Sequence, residues 1–126
     1  MNEITAIFKA LSDRNRLRIV SALMKHEELC AYQLTELIQA TGATASRHMG
    51  VLISSGLADS HKEGRRVYYR PCREQADLSV LIGWIESRID NDPDAAFDVK
   101  RLEEITAYTP PAGFAENNVA MNVVKI

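Results

Sequence analysis

Apolar residues recur at helical spacing through the first half of the chain, and polar breaks divide them into short helices. The first predicted helix runs from Ile4 to Leu11. The second follows Asp13, whose carboxylate can cap it, and continues to about Lys25. After the polar link His26-Glu27-Glu28, a third helix is predicted from Ala31 to about Gln39, with Leu34, Leu37 and Ile38 facing inward. Three short helices therefore precede the first strong break at Thr41-Gly42.

A fourth helix, residues 43–55, is predicted to follow Thr41 as its cap and to end at Gly56. Its predicted buried face carries Ala45, Met49, Leu52 and Ile53. Its opposite face carries the polar or small residues Thr44, Ser46, Arg47 and Gly50. Two short helices, a sharp turn and a helix with a polar outer face form the arrangement that holds a helix in the DNA major groove.

After Leu57 the pattern changes to that of β-structure. Residues 58–62 and 65–70 predict two strands joined across Glu63-Gly64. The hairpin carries a basic cluster, which comprises Lys62, Arg65 and Arg66. Tyr68 and Tyr69 point to opposite faces, so one is predicted to pack in the core and the other to lie on the hairpin surface. The fold class is therefore mostly α with a small β-hairpin, a winged helix-turn-helix.

Two further helices are predicted in the C-terminal part. From Gln75 to Ile89 the apolar stripe is wider than one small core requires. The stripe comprises Leu78, Leu81, Ile82, Ile85 and Ile89, with Val80 and Trp84 extending it sideways. After Asn91-Asp92-Pro93, residues 95–107 predict a weakly amphipathic helix through Phe97, Leu102 and Ile105. The last fifteen residues are interpreted either as a flexible tail or as an arm that packs on a partner. We divide the chain into a DNA-binding and dimerisation domain, 1–90, and an extension, 91–126.

Composition supports one soluble domain, because 126 residues with 46% apolar and 25% charged side chains are typical of a globular protein. The sequence has neither a signal-peptide pattern nor an apolar run of about 20 residues, so we expect a cytoplasmic protein with no membrane partner. The net charge is −2, but residues 1–73 hold 11 Lys/Arg against 7 Asp/Glu. Positive charge is therefore concentrated in the half that carries the predicted DNA-binding elements.

The predicted DNA contacts follow from side-chain chemistry. Arg47 can bond a guanine edge or clamp a phosphate, and the hydroxyls of Thr44 and Ser46 suit phosphate or less discriminating base contacts. Gly50 lets the helix approach DNA closely. The hairpin residues that would lie over the flanking backbone or minor groove are Lys62, Arg65, Arg66 and Tyr68. Taken alone, a basic cluster is as often an ordinary solvated face. His48 is interpreted as a packed or capping histidine, because no other ligand accompanies it at metal-binding spacing.

Several motifs in order resemble the ArsR/SmtB family of bacterial metal- and metalloid-responsive repressors. They are FKALSD at 8–13, RLRI at 16–19, ELC at 28–30, TASRHM at 44–49, SGL at 55–57 and EGRRVYYR at 63–70. The resemblance covers roughly residues 4–90. It implies a homodimer in which the first and last helices pair across a two-fold axis, and an inducer that lowers affinity for operator DNA. Such a dimer would account for the wide apolar stripe of the fifth helix.

The two cysteines, Cys30 and Cys72, are the candidate sensing residues. Arsenic-sensing members of the family often carry Cys-x-Cys after Glu-Leu, whereas this chain has Cys30 followed two residues later by Tyr32. One thiolate cannot chelate As(III) or tetrahedral Zn²⁺ alone, so Cys72 or a second subunit would have to complete a site. The zinc-type site of Asp and His on the last helix is absent, since residues 75–89 contain no His. Buried, inert thiols, a redox switch and a non-thiol organic inducer remain alternatives.

The sequence therefore predicts a transcriptional repressor that binds double-stranded operator DNA as a homodimer and is released by a metalloid or other soft ion, a redox change or a small molecule. No cofactor is assigned beyond As(III) or another soft ion as a candidate inducer. The alternative is a winged-helix dimerisation or interaction module that does not bind DNA. An enzyme is not expected, because no catalytic set of Ser, His and Asp, no phosphate loop and no paired carboxylates stand out.

Overall fold

The computed structural model describes residues 1–72 and 76–107 of the chain. Within these ranges the predicted order of helices and hairpin is confirmed. The elements are α1 (Asn2–Leu11), α2 (Arg14–His26), β1 (Leu29–Cys30), α3 (Ala31–Ile38), α4 (Gly42–Ser54), β2 (Ala58–Glu63), β3 (Arg66–Pro71), α5 (Ala76–Ile89) and α6 (Pro93–Ala107). No described helix combines the length and apolar character needed to cross a membrane.

Both predicted helix caps are confirmed. The Asp13 carboxylate accepts the backbone N–H groups of Asn15 at 2.8 Å and Arg16 at 3.1 Å. Burial raises the pKa of Asp13, but these N–H donors and the nearby positive charge of Arg16 outweigh it and leave the pKa below its ordinary value. Thr41 caps α4, since its Oγ1 accepts the N–H of Thr44 at 3.1 Å. Short polar side chains therefore fix where the two helices begin.

The sheet has three antiparallel strands in the order β1-β3-β2, one more than the predicted hairpin. β1 pairs with β3, with Cys30 opposite Tyr68. The sequence did not predict β1, because a strand of two residues is too short to show an alternating pattern. The turn between β2 and β3 is Gly64-Arg65, one residue later than predicted, because Glu63 still pairs with Arg66. Gly64 has φ +64°, the left-handed conformation that glycine adopts most easily.

Helices α2, α3 and α4 supply most of the buried core. The predicted inward residues Leu34, Leu37 and Ile38 of α3 and Ala45, Met49 and Leu52 of α4 are all buried. The prediction was wrong for Ile53, which is 37% exposed. Ile53 lies about 100° around the helix from Leu52, which occupies the core-facing position in the last turn.

The C-terminal helices join the same core. α5 buries Leu78, Ile82 and Ile85 but leaves Val80 and Trp84 exposed. The predicted helix in the extension is confirmed as α6, which packs on α2 and α3 and buries Leu102 in the common core. The prediction that Phe97 faces inward is wrong, because its side chain is 62% exposed. The neighbouring Asp98 faces inward instead and binds Arg18. The predicted tail or arm after residue 107 lies outside the described residues.

Candidate nucleic-acid interface

The outer face of α4 has the polar composition that the sequence predicts. Ser46, Arg47 and Gly50 are exposed, and Thr44 is half-buried with its hydroxyl 3.1 Å from that of Thr41. A Cβ at Gly50 would meet no atom within 4 Å, so the surface there is open to an approaching molecule. The face therefore carries one guanidinium, two hydroxyls and the open surface at Gly50. These groups are suited to contacts with base edges in a DNA groove.

Behind this face, His48 fastens α4 to the rest of the fold. It is buried, with 5% of its surface exposed, and its Nδ1 lies 3.2 Å from Nη1 of Arg16. Burial lowers the pKa of His48, and the positive charges of Arg16 and Arg47 lower it further, against the opposing effect of Asp13. A neutral His48 accepts at Nδ1, so the interpretation as a packed histidine is confirmed. Arg16 was missed as a functional residue, because its partner lies 32 positions away.

The hairpin presents only part of its basic cluster. Lys62, near the end of β2, and Arg65, in the tight turn, are both exposed. Arg66, the third member of the predicted basic cluster, is buried with 8% of its surface exposed. The expectation that Arg66 lies over a DNA backbone is therefore not supported, because its backbone pairs with Glu63 at the start of β3 and its side chain is shielded from solvent. Lys62 and Arg65 remain the hairpin cations open to a phosphate.

The two tyrosines separate as predicted. Both are half-buried, but Tyr69 packs against the core and Tyr68 stacks on His61 with ring centroids 5.4 Å apart. Nε2 of His61 lies 3.6 Å from Glu28, in the link between α2 and β1. Arg70 approaches the same Glu28 carboxylate at 3.9 Å. These contacts attach the base of the hairpin to the end of α2, and no local pattern in the sequence indicates them.

The cysteines do not meet within one chain. Cys30 is 2% exposed and precedes α3, where its backbone N–H donates to Oε1 of Gln33 at 2.9 Å. Cys72 is half-buried, and its N–H donates to the Leu57 carbonyl at 3.0 Å. Cys30 pairs with Tyr68 across the sheet. Cys72 lies four residues after Tyr68, which places it about 13 Å from Tyr68 at the rise of a strand. A disulfide needs Cα atoms within about 7 Å, so the two thiols cannot pair in this conformation.

No group of three or more His, Cys, Asp or Glu side chains among the described residues is arranged to hold a metal ion. Tyr32, in the position of the second thiol of the arsenic-type motif, is half-buried on α3. Neither cysteine belongs to such a group among the described residues, so a thiol site formed by Cys30 and Cys72, within one chain or between subunits, stays a prediction.

Comparison with solved structures defines the class of fold. HlyU from Vibrio cholerae matches 68% of this chain and 90% of its own with a TM-score of 0.61 at 22% identity. The homodimeric winged helix-turn-helix DNA-binding domain Mb0332 from Mycobacterium bovis matches 71% of this chain and 80% of its own, with a TM-score of 0.61 at 27% identity. The chain is a winged helix-turn-helix protein, with α3 and α4 as the helix pair and β2 and β3 as the wing.

Sequence relatives narrow the class to a family. The model of the bacterial regulatory proteins of the arsR family matches residues 13–60. The cadmium resistance transcriptional regulatory protein CadC of Listeria innocua is 47% identical over 66 residues, 52% of this chain and 56% of its own. The arsenical resistance operon repressor of Escherichia coli is 39% identical over 64 residues, 51% of this chain and 55% of its own. Residues 13–60 therefore resemble the arsR family, and the chain spans about half the length of these relatives.

Proposed function

We propose that this protein is a cytoplasmic transcriptional repressor that binds operator DNA as a homodimer and leaves it when an inducer binds. The observation that carries the proposal is the exposed polar face of α4, with Arg47 at its centre, followed directly by a wing that offers Lys62 and Arg65. The core holds α4 from behind through Met49 and Leu52, so its outer face has no packing role among the described residues. A helix held in this way is suited to the major groove.

Exposed apolar side chains support a homodimer. Ile4 and Phe8 of α1 are 55% and 59% exposed, and Val80 and Trp84 of α5 are 76% and 58% exposed. Large apolar groups clustered on two helices are costly to leave in water, and a partner that covers them removes this cost. A homodimer would also present two copies of α4 to successive major grooves, about 34 Å apart, on an imperfect palindrome.

The class of inducer is a further part of the proposal. Relatives are named for cadmium and arsenical resistance, which favours a soft ion. The chain has only two cysteines, and Tyr32 replaces the second thiol of the arsenic-type motif. A thiol site would therefore need Cys30 or Cys72 to act with a cysteine of a second subunit, since soft ions require more than one thiolate.

The test is binding to duplex DNA from the promoter of the chain's own gene, measured across about 50 to 200 mM salt against an unrelated duplex of equal length. We expect preferential binding that falls steeply with salt, by a protein that sediments as a dimer. A dimer with no preference for the promoter would instead support an interaction module that does not read DNA. A monomer at micromolar concentration would contradict the proposed assembly.

A further inference from the structure

A cavity of about 460 Å³ opens between α2, α5 and α6, away from the outer face of α4. This volume is within the range of small-molecule sites, about 300 to 1,000 Å³. Its wall is mostly apolar and includes Leu17 and Ala22 of α2, Ile89 of α5, and Val99 and Leu102 of α6. The cavity exists because α6 packs back on α2 without filling the space beside the end of α5.

The acidic groups around the cavity are already bound. Asp98 accepts two hydrogen bonds from Arg18, at 2.8 and 3.0 Å. Asp94 pairs with Arg14. Asp92 caps α6, where its carboxylate accepts the N–H of Ala95 at 3.2 Å. The partly buried pair with Arg18 compensates the charge of Asp98, the exposed pair with Arg14 compensates that of Asp94 in part, and Asp92 lies at the N-terminus of α6, where N–H groups stabilise a negative charge. These carboxylates therefore offer reduced attraction to a cationic ligand.

Two cations that line the cavity, Arg88 and Lys25, are less strongly ion-paired than Arg18. Arg88 lines the cavity and its guanidinium lies 5.3 Å from the Trp84 ring centre, but no carboxylate of the described residues forms an ion pair with it. Lys25 also lines the cavity, and its ion-pair partner among the described residues, Asp90, is 3.4 Å away and 61% exposed. An exposed pair of this kind is weak. The charge available to a ligand is therefore positive, beside an apolar wall.

We propose that this cavity binds an amphipathic organic anion, with its apolar body against Leu17 and Val99 and its acidic group at Arg88 and Lys25, and that such a ligand is an inducer. The inducer role rests on the proposed repressor function, whereas the binding site does not. α2 connects the two regions, because Leu17 lines the cavity and the adjacent Arg16 bonds His48 of α4. A ligand that shifts α2 against α6 would alter the support of the DNA-facing helix.

The binding test uses three molecules with the same ten-carbon chain but different head groups: decanoate, decanol and decylamine. Isothermal titration calorimetry of the full chain should show decanoate binding about tenfold or more tightly than the other two, as a charge-assisted hydrogen bond implies. Equal affinities for the three, or no binding of decanoate, would overturn the proposal. The single tryptophan, Trp84, supplies a second signal, since engagement of Arg88 should change its fluorescence.

Two variants and a matched control locate the site. Arg88→Gln should weaken decanoate about tenfold and leave decanol unchanged, because the exposed side chain supplies charge and no core packing. Val99→Phe should weaken the binding of both decanoate and decanol, because the larger side chain fills part of the cavity. Lys100→Gln removes an exposed cation of α6 that does not line the cavity, and should change neither. If Arg88→Gln and Lys100→Gln weakened decanoate binding equally, the effect would come from the overall charge of the protein, and the proposed site would be contradicted.

Other occupants give distinguishable results. Decanoate binding by a chain that ends at Ala107, but not by the full chain, would mean that residues 108–126 cover the cavity and would overturn the proposal. Binding that disappears as protein concentration rises would identify a second copy as the occupant, with the same consequence.

The inducer role is tested on promoter DNA. Decanoate should weaken operator binding at least threefold in the parent and not in Arg88→Gln. A bound decanoate that leaves operator affinity unchanged would overturn the inducer role, whereas failure to bind promoter DNA even without decanoate would refute the proposed function instead.

Discussion

Nη1 of Arg16 lies 3.2 Å from Nδ1 of His48, and the same guanidinium donates to the Ala10 carbonyl at 2.6 Å and the Lys9 carbonyl at 3.3 Å. One side chain of α2 therefore joins the end of α1 to α4. Because Nδ1 of His48 accepts, the proton of the neutral ring belongs on Nε2. This contact, together with the core packing of Met49 and Leu52, attaches the helix that carries Arg47 to the rest of the fold.

Folding stability should decrease in mild acid through His48. Its pKa is lowered in the folded chain, mainly by burial, so the unfolded chain binds the proton more readily. The stabilising effect of the neutral ring is present above about pH 6.5, the unfolded value, and is lost as pH falls through the lower folded pKa. Urea unfolding between pH 7 and pH 5 should show a smaller decrease in His48→Gln than in the parent. His26→Gln, which alters a histidine remote from Arg16, should retain the parent's decrease, and an equal flattening in both would contradict the assignment.

Arg47→Ala should cost about 1–3 kcal/mol of operator binding, because it removes the guanidinium at the centre of the exposed α4 face. If Arg47 reads a base, competition with mutated operators should also show relaxed sequence preference. Fluorescence anisotropy with labelled duplexes measures both. Lys100→Ala, an exposed cation on α6, is the control and should bind like the parent. An unaltered affinity of Arg47→Ala would place the DNA contact on another face.

Replacing Lys62 and Arg65 together by Ala should weaken binding to all duplexes alike. Removing one cation from a phosphate should reduce the slope of log affinity against log salt by about 0.9, so the double replacement should reduce it by about 2. Arg66→Ala should leave the slope nearly unchanged and lower thermal stability instead, because its side chain is buried. Weaker sequence preference with intact nonspecific binding would make the wing a base reader.

Soft-ion sensing can be separated from other induction by cysteine variants. If the two thiols act together across subunits, Cys30→Ser and Cys72→Ser should each abolish the effect of arsenite or Cd²⁺ on operator binding. Tyr32→Cys should strengthen the arsenite effect, since it creates two thiols two residues apart at the start of α3. A parallel titration with Zn²⁺ and with an oxidant distinguishes metal binding from a redox change. A full response in both serine variants would exclude thiol sensing.

Asp98→Asn should destabilise the fold by about 1–3 kcal/mol. Removing one partner of a buried ion pair costs about 3–5 kcal/mol, and Arg18 is 23% exposed, so solvent reduces this cost. The matched control is Asp94→Asn, whose pair with Arg14 is 61% and 73% exposed and should cost less than about 1 kcal/mol. Urea denaturation measures both. Equal effects would mean that the Arg18–Asp98 pair does not hold α6 in place.

The helices and their limits could be predicted because their signals are local. The apolar period of α1 to α4, the caps Asp13 and Thr41 and the turn at Gly64 all act through residues a few positions apart. The same holds for the polar face of α4, since every third or fourth residue of a helix shares a side. The order of these elements was enough to predict a winged helix-turn-helix and its candidate DNA contacts.

The sequence by itself therefore determined the order of the helices, the wing and the polar face around Arg47. Only the tertiary structure decided which neighbour is buried: Arg66 is enclosed while Arg65 is exposed, and Asp98 turns inward in place of Phe97. It also decided that Arg16 meets His48 and that Cys30 and Cys72 lie apart. The physical reason is range, because periodicity and capping involve nearby residues, whereas burial and side-chain pairing depend on elements brought together from distant parts of the chain.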